Sequence, residues 1–132
     1  MKLASPFQFS GQVIHGEGVG RTIGFPTANL DQTPSANELK PGVYVGSCQL
    51  IPTVDSSTLF CLAYFGPRLV FGELKNRLEV YIYDFDQDIY GSTLTLNLTH
   101  FLRDPQKVEN LSALAVQLTK DRREGAELLK IY

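Results

Sequence analysis

Three spaced glycines precede a threonine and an asparagine near the start of the chain, in the run that covers residues 16–30. Glycine has no Cβ, so its backbone N–H can approach a phosphate closely. Thr27 and Asn29 lie two residues apart. On an extended segment their side-chain oxygens point to the same side, as a Mg²⁺ ion that bridges phosphates requires. The spacing indicates a phosphate and metal site, and it is equally typical of a glycine-rich hairpin turn whose loop the two polar residues stabilise.

The glycine loop differs from two well-known phosphate motifs. No Gly-Lys-Ser/Thr follows it, which excludes a Walker A loop, and Phe25-Pro26 blocks the helix start of a dinucleotide fingerprint. The residues of this run that can contact a nucleotide are Gly16, Gly18, Gly20, Arg21, Gly24, Phe25, Pro26 and Thr27.

Glu79 lies in the middle of a strand-like segment, between Leu78 and Val80. Phosphoryl transfer to an alcohol needs a group that orients the hydroxyl and accepts its proton, and a carboxylate near phosphates and Mg²⁺ is ionised and suits that role. The structural interpretation is a glutamate on the solvent face of an edge strand. For Arg103, the residues alone suggest a surface ion pair with Asp104 or another neighbour.

Period-two patterns must position these residues. Leu94, Leu96 and Leu98 alternate with polar residues and predict one buried strand face. Leu78, Val80 and Ile82 predict another, which puts Glu79, Tyr81 and Tyr83 on the opposite side. Further strands are predicted over residues 8–14, 42–49 and 59–64.

One late segment predicts a helix. Asn110 or Ser112 can cap it, Leu111, Leu114, Ala115 and Leu118 recur at helical spacing, and Gly125 is expected to interrupt it. Several short strands and one helix predict a mainly β fold, an antiparallel barrel with the helix packed outside it.

Composition sets the remaining bounds. A chain of 132 residues fits a single domain, 1–132. The net charge of −2 and the lack of a basic cluster argue against a nucleic-acid partner. The apolar runs are too short for a bilayer or a signal peptide. Cys48 and Cys61 are predicted to be buried free thiols. The expected location is the cytoplasm.

The run Gly-Arg-x-x-Gly-Phe-Pro-Thr-Ala-Asn-Leu resembles the signature of the riboflavin kinase (flavokinase) family, and further blocks follow in the family's order over about residues 8–124. They are Pro41-Gly42-Val43-Tyr44, Leu78-Glu79-Val80, Tyr83-Asp84-Phe85, Ile89-Tyr90-Gly91, His100-Phe101-Leu102-Arg103-Asp104 and Leu111-Ser112-Ala113-Leu114. The resemblance implies a six-stranded antiparallel Greek-key barrel with a C-terminal α-helix. It also implies Mg²⁺-dependent phosphorylation of the ribityl 5′-hydroxyl of riboflavin by ATP, which gives FMN and ADP.

The resemblance also implies residue roles. Glu79 matches the base for the ribityl hydroxyl, Thr27 and Asn29 match the metal ligands, and Tyr90, Arg103 and Val108 are assigned to the flavin pocket. Bacterial members usually form the C-terminal half of a bifunctional protein that also makes FAD. No His-x-x-His or His-x-Gly-His motif occurs here. The chain is therefore expected to be a stand-alone kinase or the kinase part of a longer parent with an FAD synthetase domain.

Four residues depart from the family pattern. Leu69 and Val70 replace the Pro and Thr of Gly-x-Arg-Pro-Thr, Tyr81 stands where many members have His, and Val108 replaces a Phe. They favour an alternative, a catalytically impaired module of the same fold that binds flavin or nucleotide. A third possibility is a structural barrel whose loops only resemble the motif.

Overall fold

The structure, a computed structural model, describes residues 1–15, 24–51, 58–85 and 87–131. Gly16, Gly18, Gly20 and Arg21, which were predicted to contact a nucleotide, lie outside the described residues. The regular elements are β1 (Lys2–Ile14), β2 (Ala28–Leu30), β3 (Gly42–Ile51), β4 (Leu59–Gly66), a short 3₁₀ helix (Leu69–Phe71), β5 (Arg77–Ile82), β6 (Thr93–Arg103) and helix α1 (Leu111–Leu129).

Six antiparallel strands form a closed ring in the order β1-β2-β5-β4-β3-β6. Strands β3, β4 and β5 are successive neighbours, and β6 returns to pair with both β3 and β1. The predicted mainly β fold with a C-terminal helix is confirmed. Ring closure gives every strand two partners, so Glu79 does not lie on an edge strand.

The inner face of the ring holds the main core, as the alternation predicts. Leu94, Leu96 and Leu98 are at most 1 % exposed, and Leu78, Val80 and Ile82 are buried with them. The predicted burial of Cys48 and Cys61 as free thiols is also confirmed.

A second core lies between the outer face of the sheet and α1. It consists of Val43, Val45, Leu62, Tyr83 and Ala126. The helix packs chiefly on β3, β4 and β6, and therefore leaves β2 and β5 less covered. Polar contacts also hold the helix in place. The Tyr83 hydroxyl, directly after β5, donates a hydrogen bond to the carbonyl oxygen of Arg122 at 2.8 Å, and Arg103 of β6 forms an ion pair with Asp121.

Helix α1 begins where the sequence indicated, and it ends later than predicted. The Asn110 side chain caps it by accepting a hydrogen bond from the Ala113 N–H at 2.9 Å. The predicted interruption at Gly125 is wrong, because the helix continues to Leu129. A Cβ at Gly125 would lie 2.5 Å from the Tyr83 hydroxyl and 2.8 Å from Val45 Cγ1. Glycine there permits close approach to the sheet.

The strands differ from the prediction mainly at their ends. β1 begins at Lys2 and β6 runs to Arg103, which therefore is the last residue of a strand. The sequence pattern did not reveal β2, because three residues are too short for a period-two signal. Among the described residues, no helix combines the length and the apolar character needed to cross a membrane.

We predict that Gly125→Ala destabilises the protein, although alanine favours helices. Overpacking costs about 1–3 kcal/mol, whereas the gain in helix propensity is about 1 kcal/mol. The expected net loss of about 1 kcal/mol lowers the Tm by roughly 3–5 °C. In a Tyr83→Phe background, which removes the nearest atom, the loss is smaller. A rise in Tm would contradict close packing at this position.

Candidate active site

Five residues form a row across the outer face of the sheet. Asn29 on β2 lies directly opposite Glu79 on β5, Glu79 opposite Tyr64 on β4, Tyr64 opposite Val43 on β3, and Val43 opposite Arg103 on β6. Directly opposed residues of antiparallel strands share a face, and neighbouring strands lie about 4.8 Å apart. The row therefore extends over four strand spacings and ends with a cation at one side and Asn29 beside Glu79 at the other.

A cavity of about 100 Å³ lies between this row and α1, and we call it the helix-side cavity. Glu79, Tyr64, Val43 and Arg103 of the row line it. Its remaining walls are Phe25, Thr27, Leu62, Pro67, Arg68, Leu69, Val70, Phe71, Tyr81, Gln106, Val108, Leu114, Leu118 and Asp121. Most of these side chains are apolar, so the cavity suits an apolar group whose polar end reaches Thr27 and Glu79.

Arg103 is held by a carboxylate of the helix. Its Nε and Nη2 donate to Asp121 Oδ1 and Oδ2 at 2.8 and 2.7 Å, and its Nη1 donates to the carbonyl oxygen of Asp104 at 3.0 Å. Asp121 is 0 % exposed. The expected surface ion pair with Asp104 or another neighbour is therefore wrong, because Arg103 pairs with a buried carboxylate of the helix. The carboxylate of Asp104 pairs instead with Lys40 at 3.0 Å.

Tyr64 stands between Glu79 and Arg103 in the row. Its hydroxyl donates to the carbonyl oxygen of Pro67. Burial raises the pKa of Tyr64, the negative charge of Glu79 raises that pKa further, and Arg103 opposes the shift. The phenol is therefore neutral near pH 7 and serves as a hydrogen-bond donor in the cavity wall, where it cannot act as a base.

The segment after β4 closes another side of the helix-side cavity. Glu73 joins its two ends, because its carboxylate accepts hydrogen bonds from Arg68 and, at 3.0 Å, from Arg77 Nε. The Arg68 guanidinium also lies 5.1 Å from the centre of the Phe71 ring. The hydrogen bond from Arg68, more than any other contact, lowers the pKa of Glu73. These ion pairs therefore restrain residues 67–76, a segment whose composition is typical of a flexible loop.

A second cavity, of about 260 Å³, lies at the end of the ring, and we call it the loop-side cavity. Pro26, Thr27, Phe85, Asp88 and Tyr90 contribute to its walls. The Tyr90 ring stacks on His15, with 3.6 Å between ring centres. Thr27 lines both cavities.

The structure brings most of the described candidate residues together. Phe25, Thr27, Glu79, Arg103 and Val108 line the helix-side cavity, and Pro26 joins Thr27 in the loop-side cavity. Asn29 lines neither cavity, although it lies opposite Glu79. Gly24 occupies a turn with φ of 85°, a conformation that favours glycine. Tyr90 lines the loop-side cavity, whereas Arg103 and Val108, with which the resemblance had grouped it, line the helix-side cavity.

Several residues of the site were not among the sequence-based candidates, and Asp121 and Tyr64 are the two that bear most on its polar contacts. Asp121 lies seven and three residues after Leu114 and Leu118, so it occupies the helix stripe that faces the sheet. A charged residue on an otherwise apolar helix stripe could have been recognised from the sequence as a candidate for a buried ion pair. Tyr64 gives no comparable signal, because an aromatic residue in a strand is an ordinary packing residue.

The oxygen atoms around Thr27 suit a hard divalent cation. The two oxygens predicted from the sequence as metal ligands are the Thr27 hydroxyl and the Asn29 amide oxygen, and Asn29 lies opposite Glu79. Among the described residues, no three His, Cys, Asp or Glu side chains cluster as a metal-binding group. A cation here would depend on few protein ligands and on ligand phosphates, which is the usual environment of Mg²⁺.

A sequence profile of the riboflavin kinase (flavokinase) family matches residues 3–129. The chain belongs to the riboflavin kinase family. The bifunctional riboflavin kinase/FMN adenylyltransferase of Haemophilus influenzae is 38% identical over 120 residues, which are 90% of this chain and 37% of that protein. The Escherichia coli K12 protein of the same name is 33% identical over 125 residues, 95% of this chain and 39% of that protein. The chain thus spans less than two-fifths of the length of these relatives.

A solved structure shares the fold of the riboflavin kinase-family chain. The crystal structure of riboflavin kinase from Trypanosoma brucei superimposes with a TM-score of 0.69 at 20% identity, over 99% of this chain and 82% of that one. The arrangement of six strands and a C-terminal helix is thus an architecture found in a riboflavin kinase.

We predict that Glu73→Gln loosens the wall formed by residues 67–76. The substitution removes the charge that holds both arginines, so amide hydrogen exchange at Phe71, Gly72 and Glu73 becomes faster at pH 7. Glu127→Gln, an exposed change on α1, is the control and leaves these amides unchanged.

The pH dependence has a defined sign. The folded-state pKa of Glu73 is lowered. The stabilisation of the wall by the Glu73 carboxylate is therefore complete above the ordinary carboxyl pKa of about 4.3. It is lost as the pH falls through the lower folded-state pKa of Glu73. Equal protection of the wall in wild type and Glu73→Gln at pH 7 would contradict this role of Glu73.

Proposed function

We propose that the chain transfers the γ-phosphoryl group of ATP to the ribityl 5′-hydroxyl of riboflavin, giving FMN and ADP. The observation that carries this proposal is that Thr27 and Glu79 line one cavity, with Asn29 directly opposite Glu79. A proton acceptor and two metal-ligand candidates thus meet at one place, in a chain of the riboflavin kinase family. We further propose that the closed ring is the Greek-key barrel of that family and that residues 1–132 form one domain.

The flavin ring occupies the helix-side cavity in this proposal. Leu62, Val108, Leu114 and Leu118 supply apolar contacts for a flat ring, and Arg103 supplies N–H donors at the β6 side of the row. The ribityl chain then extends along the row toward Glu79, because apolar burial fixes the ring and leaves the hydroxyls near polar atoms.

The nucleotide occupies the loop-side cavity, and its phosphates reach the shared wall at Thr27. We assign the phosphate contacts of this arrangement to residues 16–24, which precede this wall in the chain. Under this arrangement Tyr90 and its partner His15 contact the nucleotide, and Tyr90 leaves the flavin group to which the resemblance assigned it. The two substrates therefore meet where the cavities share Thr27.

A Mg²⁺ ion would be held by the oxygen donors of Thr27 and Asn29. When bound, Mg²⁺ neutralises phosphate charge. The chain's own contribution is to hold the Thr27 hydroxyl and the Asn29 amide on one side of an extended segment. The pairing of β2 with β5 fixes that segment against Glu79.

Glu79 accepts the proton of the attacking hydroxyl. The riboflavin 5′-oxygen forms a bond to the γ-phosphorus, the bond from that phosphorus to the bridging oxygen breaks, and ADP leaves with the electron pair. The hydroxyl proton passes to the Glu79 carboxylate. Tyr64, neutral and next to Glu79 in the row, keeps that side of the cavity free of a second negative charge.

The alternative, a binding module without turnover, has one observation in its favour. The four departures from the family pattern, Leu69, Val70, Tyr81 and Val108, all line the helix-side cavity. They alter the walls around the flavin ring, while Thr27, Asn29 and Glu79 remain. We therefore expect the departures to change flavin affinity more than phosphoryl transfer.

We predict that the wild-type chain converts riboflavin, ATP and Mg²⁺ into FMN and ADP, and that Glu79→Gln lowers kcat by about 10²- to 10⁴-fold. The substitution removes the proton acceptor and keeps the side chain's size, so riboflavin affinity stays within a few-fold. FMN is measured by chromatography. Glu124→Gln, a change on α1 outside both cavities, is the matched control. Riboflavin binding by the wild-type chain without FMN formation would favour the binding module. A fall in kcat of less than about tenfold in Glu79→Gln would exclude Glu79 as the base.

We predict that Thr27→Val and Asn29→Leu each weaken Mg²⁺-dependent nucleotide binding. Each change removes one oxygen that faces the proposed cation and keeps a similar volume. The measurement compares ADP affinity in Mg²⁺ and in chelator. Thr95→Val is the control, since Thr95 pairs with Ser10 on β1 and lines neither cavity. Wild-type enhancement by Mg²⁺ in both variants would show that the cation binds elsewhere.

A further inference from the structure

We propose that Asp121 is a positioning residue for the flavin site, acting through Arg103. The inference rests on the proposed function, because it assigns the flavin ring to the helix-side cavity. Asp121 holds the guanidinium of Arg103 in one plane and one direction at the cavity wall. The remaining N–H groups of Arg103 then donate to carbonyl oxygens of the flavin ring.

Among the described residues, Asp121 is the charged residue that is completely buried, with 0 % of its surface exposed. A buried carboxylate is costly unless charged or polar donors surround it. Arg103 supplies two hydrogen bonds, at 2.8 and 2.7 Å, and Gln117 Nε2 supplies a third at 3.0 Å. Three donors therefore fix the carboxylate on α1, and the carboxylate in turn fixes an arginine on β6.

The donor count shows what Arg103 can offer a ligand. A guanidinium carries five N–H groups in a rigid plane. Two of them bond to Asp121 and one bonds to the carbonyl oxygen of Asp104. One N–H on Nη1 and one on Nη2 remain. Because Arg103 lines the helix-side cavity, a carbonyl oxygen of a ligand there can accept them.

The geometry of the pair explains why it is an arginine and an aspartate. Two parallel N–H···O bonds define both the plane and the rotation of the guanidinium, whereas a lysine would make a point contact. Gln117, four residues before Asp121 on α1, prevents the carboxylate from turning. Asp121 and Gln117 of the helix thus align the Arg103 side chain, which belongs to β6.

A purely structural role for Asp121, as an anchor of α1, is the alternative. The structure provides a second anchor for comparison, the hydrogen bond from the Tyr83 hydroxyl to the Arg122 carbonyl at 2.8 Å. Tyr83 does not line the helix-side cavity. Tyr83→Phe therefore weakens helix docking without touching Arg103, and it is the matched control.

The experiment measures the riboflavin Kd by fluorescence and kcat and KM by FMN formation for Asp121→Asn and Tyr83→Phe. In Asp121→Asn one acceptor becomes a donor that faces another donor. We expect the riboflavin Kd and KM to rise about tenfold or more, whereas kcat at saturating riboflavin stays within about threefold. Tyr83→Phe lowers the Tm and leaves the riboflavin Kd within about twofold.

A double-mutant cycle separates positioning from anchoring. Arg103→Lys is expected to raise the riboflavin Kd as much as Asp121→Asn does, and Asp121→Asn in that background adds less than about twofold. If Asp121→Asn does not fold, Gln117→Met is used, with an expected rise of about threefold. Unchanged riboflavin affinity in Asp121→Asn, or in Gln117→Met where it replaces that variant, would overturn the inference. Additive effects in the cycle, or a loss in Tyr83→Phe as large as in Asp121→Asn, would also overturn it. A folded wild type that binds no riboflavin would overturn the proposed function, and the inference with it.

Discussion

The ion pair between Arg103 and Asp121 joins the two parts of this molecule, the closed sheet and the helix outside it. Asp121 has no access to water, and Arg103 and Gln117 supply the hydrogen bonds that water would otherwise donate to its carboxylate. The arginine reaches that position because β6 ends at residue 103, under the helix. Apolar packing alone would allow α1 to slide along the sheet, since apolar contacts have little directionality. A bidentate pair permits one register, and the walls of the helix-side cavity follow from that register.

The two faces of the closed sheet differ: the inner face forms the core, and the outer face lines the candidate site. Leu78, Val80 and Ile82 of β5 enter the core, while Glu79 between them faces the cavity. A slip of one residue in the pairing of β5 would exchange these faces and bury the carboxylate in the core. The apolar side chains therefore enforce the register that puts Glu79 opposite Asn29 and Tyr64. Selection for a stable core and selection for an aligned site favour the same pairing.

How much of this could be predicted from the sequence depends on how local each feature is. The leucines at 94, 96 and 98 and the Asn110 cap are local signals, and the structure confirms them. The break expected at Gly125 followed helix propensity, which the approach of Tyr83 overrides. The role of Asp121 depends on its partner Arg103, which lies 18 residues earlier on another element, so no local pattern indicates that partner. The separation of Tyr90 from Arg103 depends on how loops cover the ring, and no periodicity encodes that.

The two cavities suggest why the family pattern changes at some positions of this chain and not at others. Leu69, Val70, Tyr81 and Val108 line the helix-side cavity, where the proposed flavin ring would make mainly apolar contacts. Apolar walls tolerate substitution when the volume is roughly kept. Thr27 lines both cavities, and the proposed phosphoryl transfer requires Thr27, Asn29 and Glu79 each to place single oxygen atoms. Under the proposed function a misplaced oxygen there would lose its partner, whereas a changed wall would alter only packing. Phosphoryl transfer would therefore constrain these three residues more tightly than ring binding would constrain the walls.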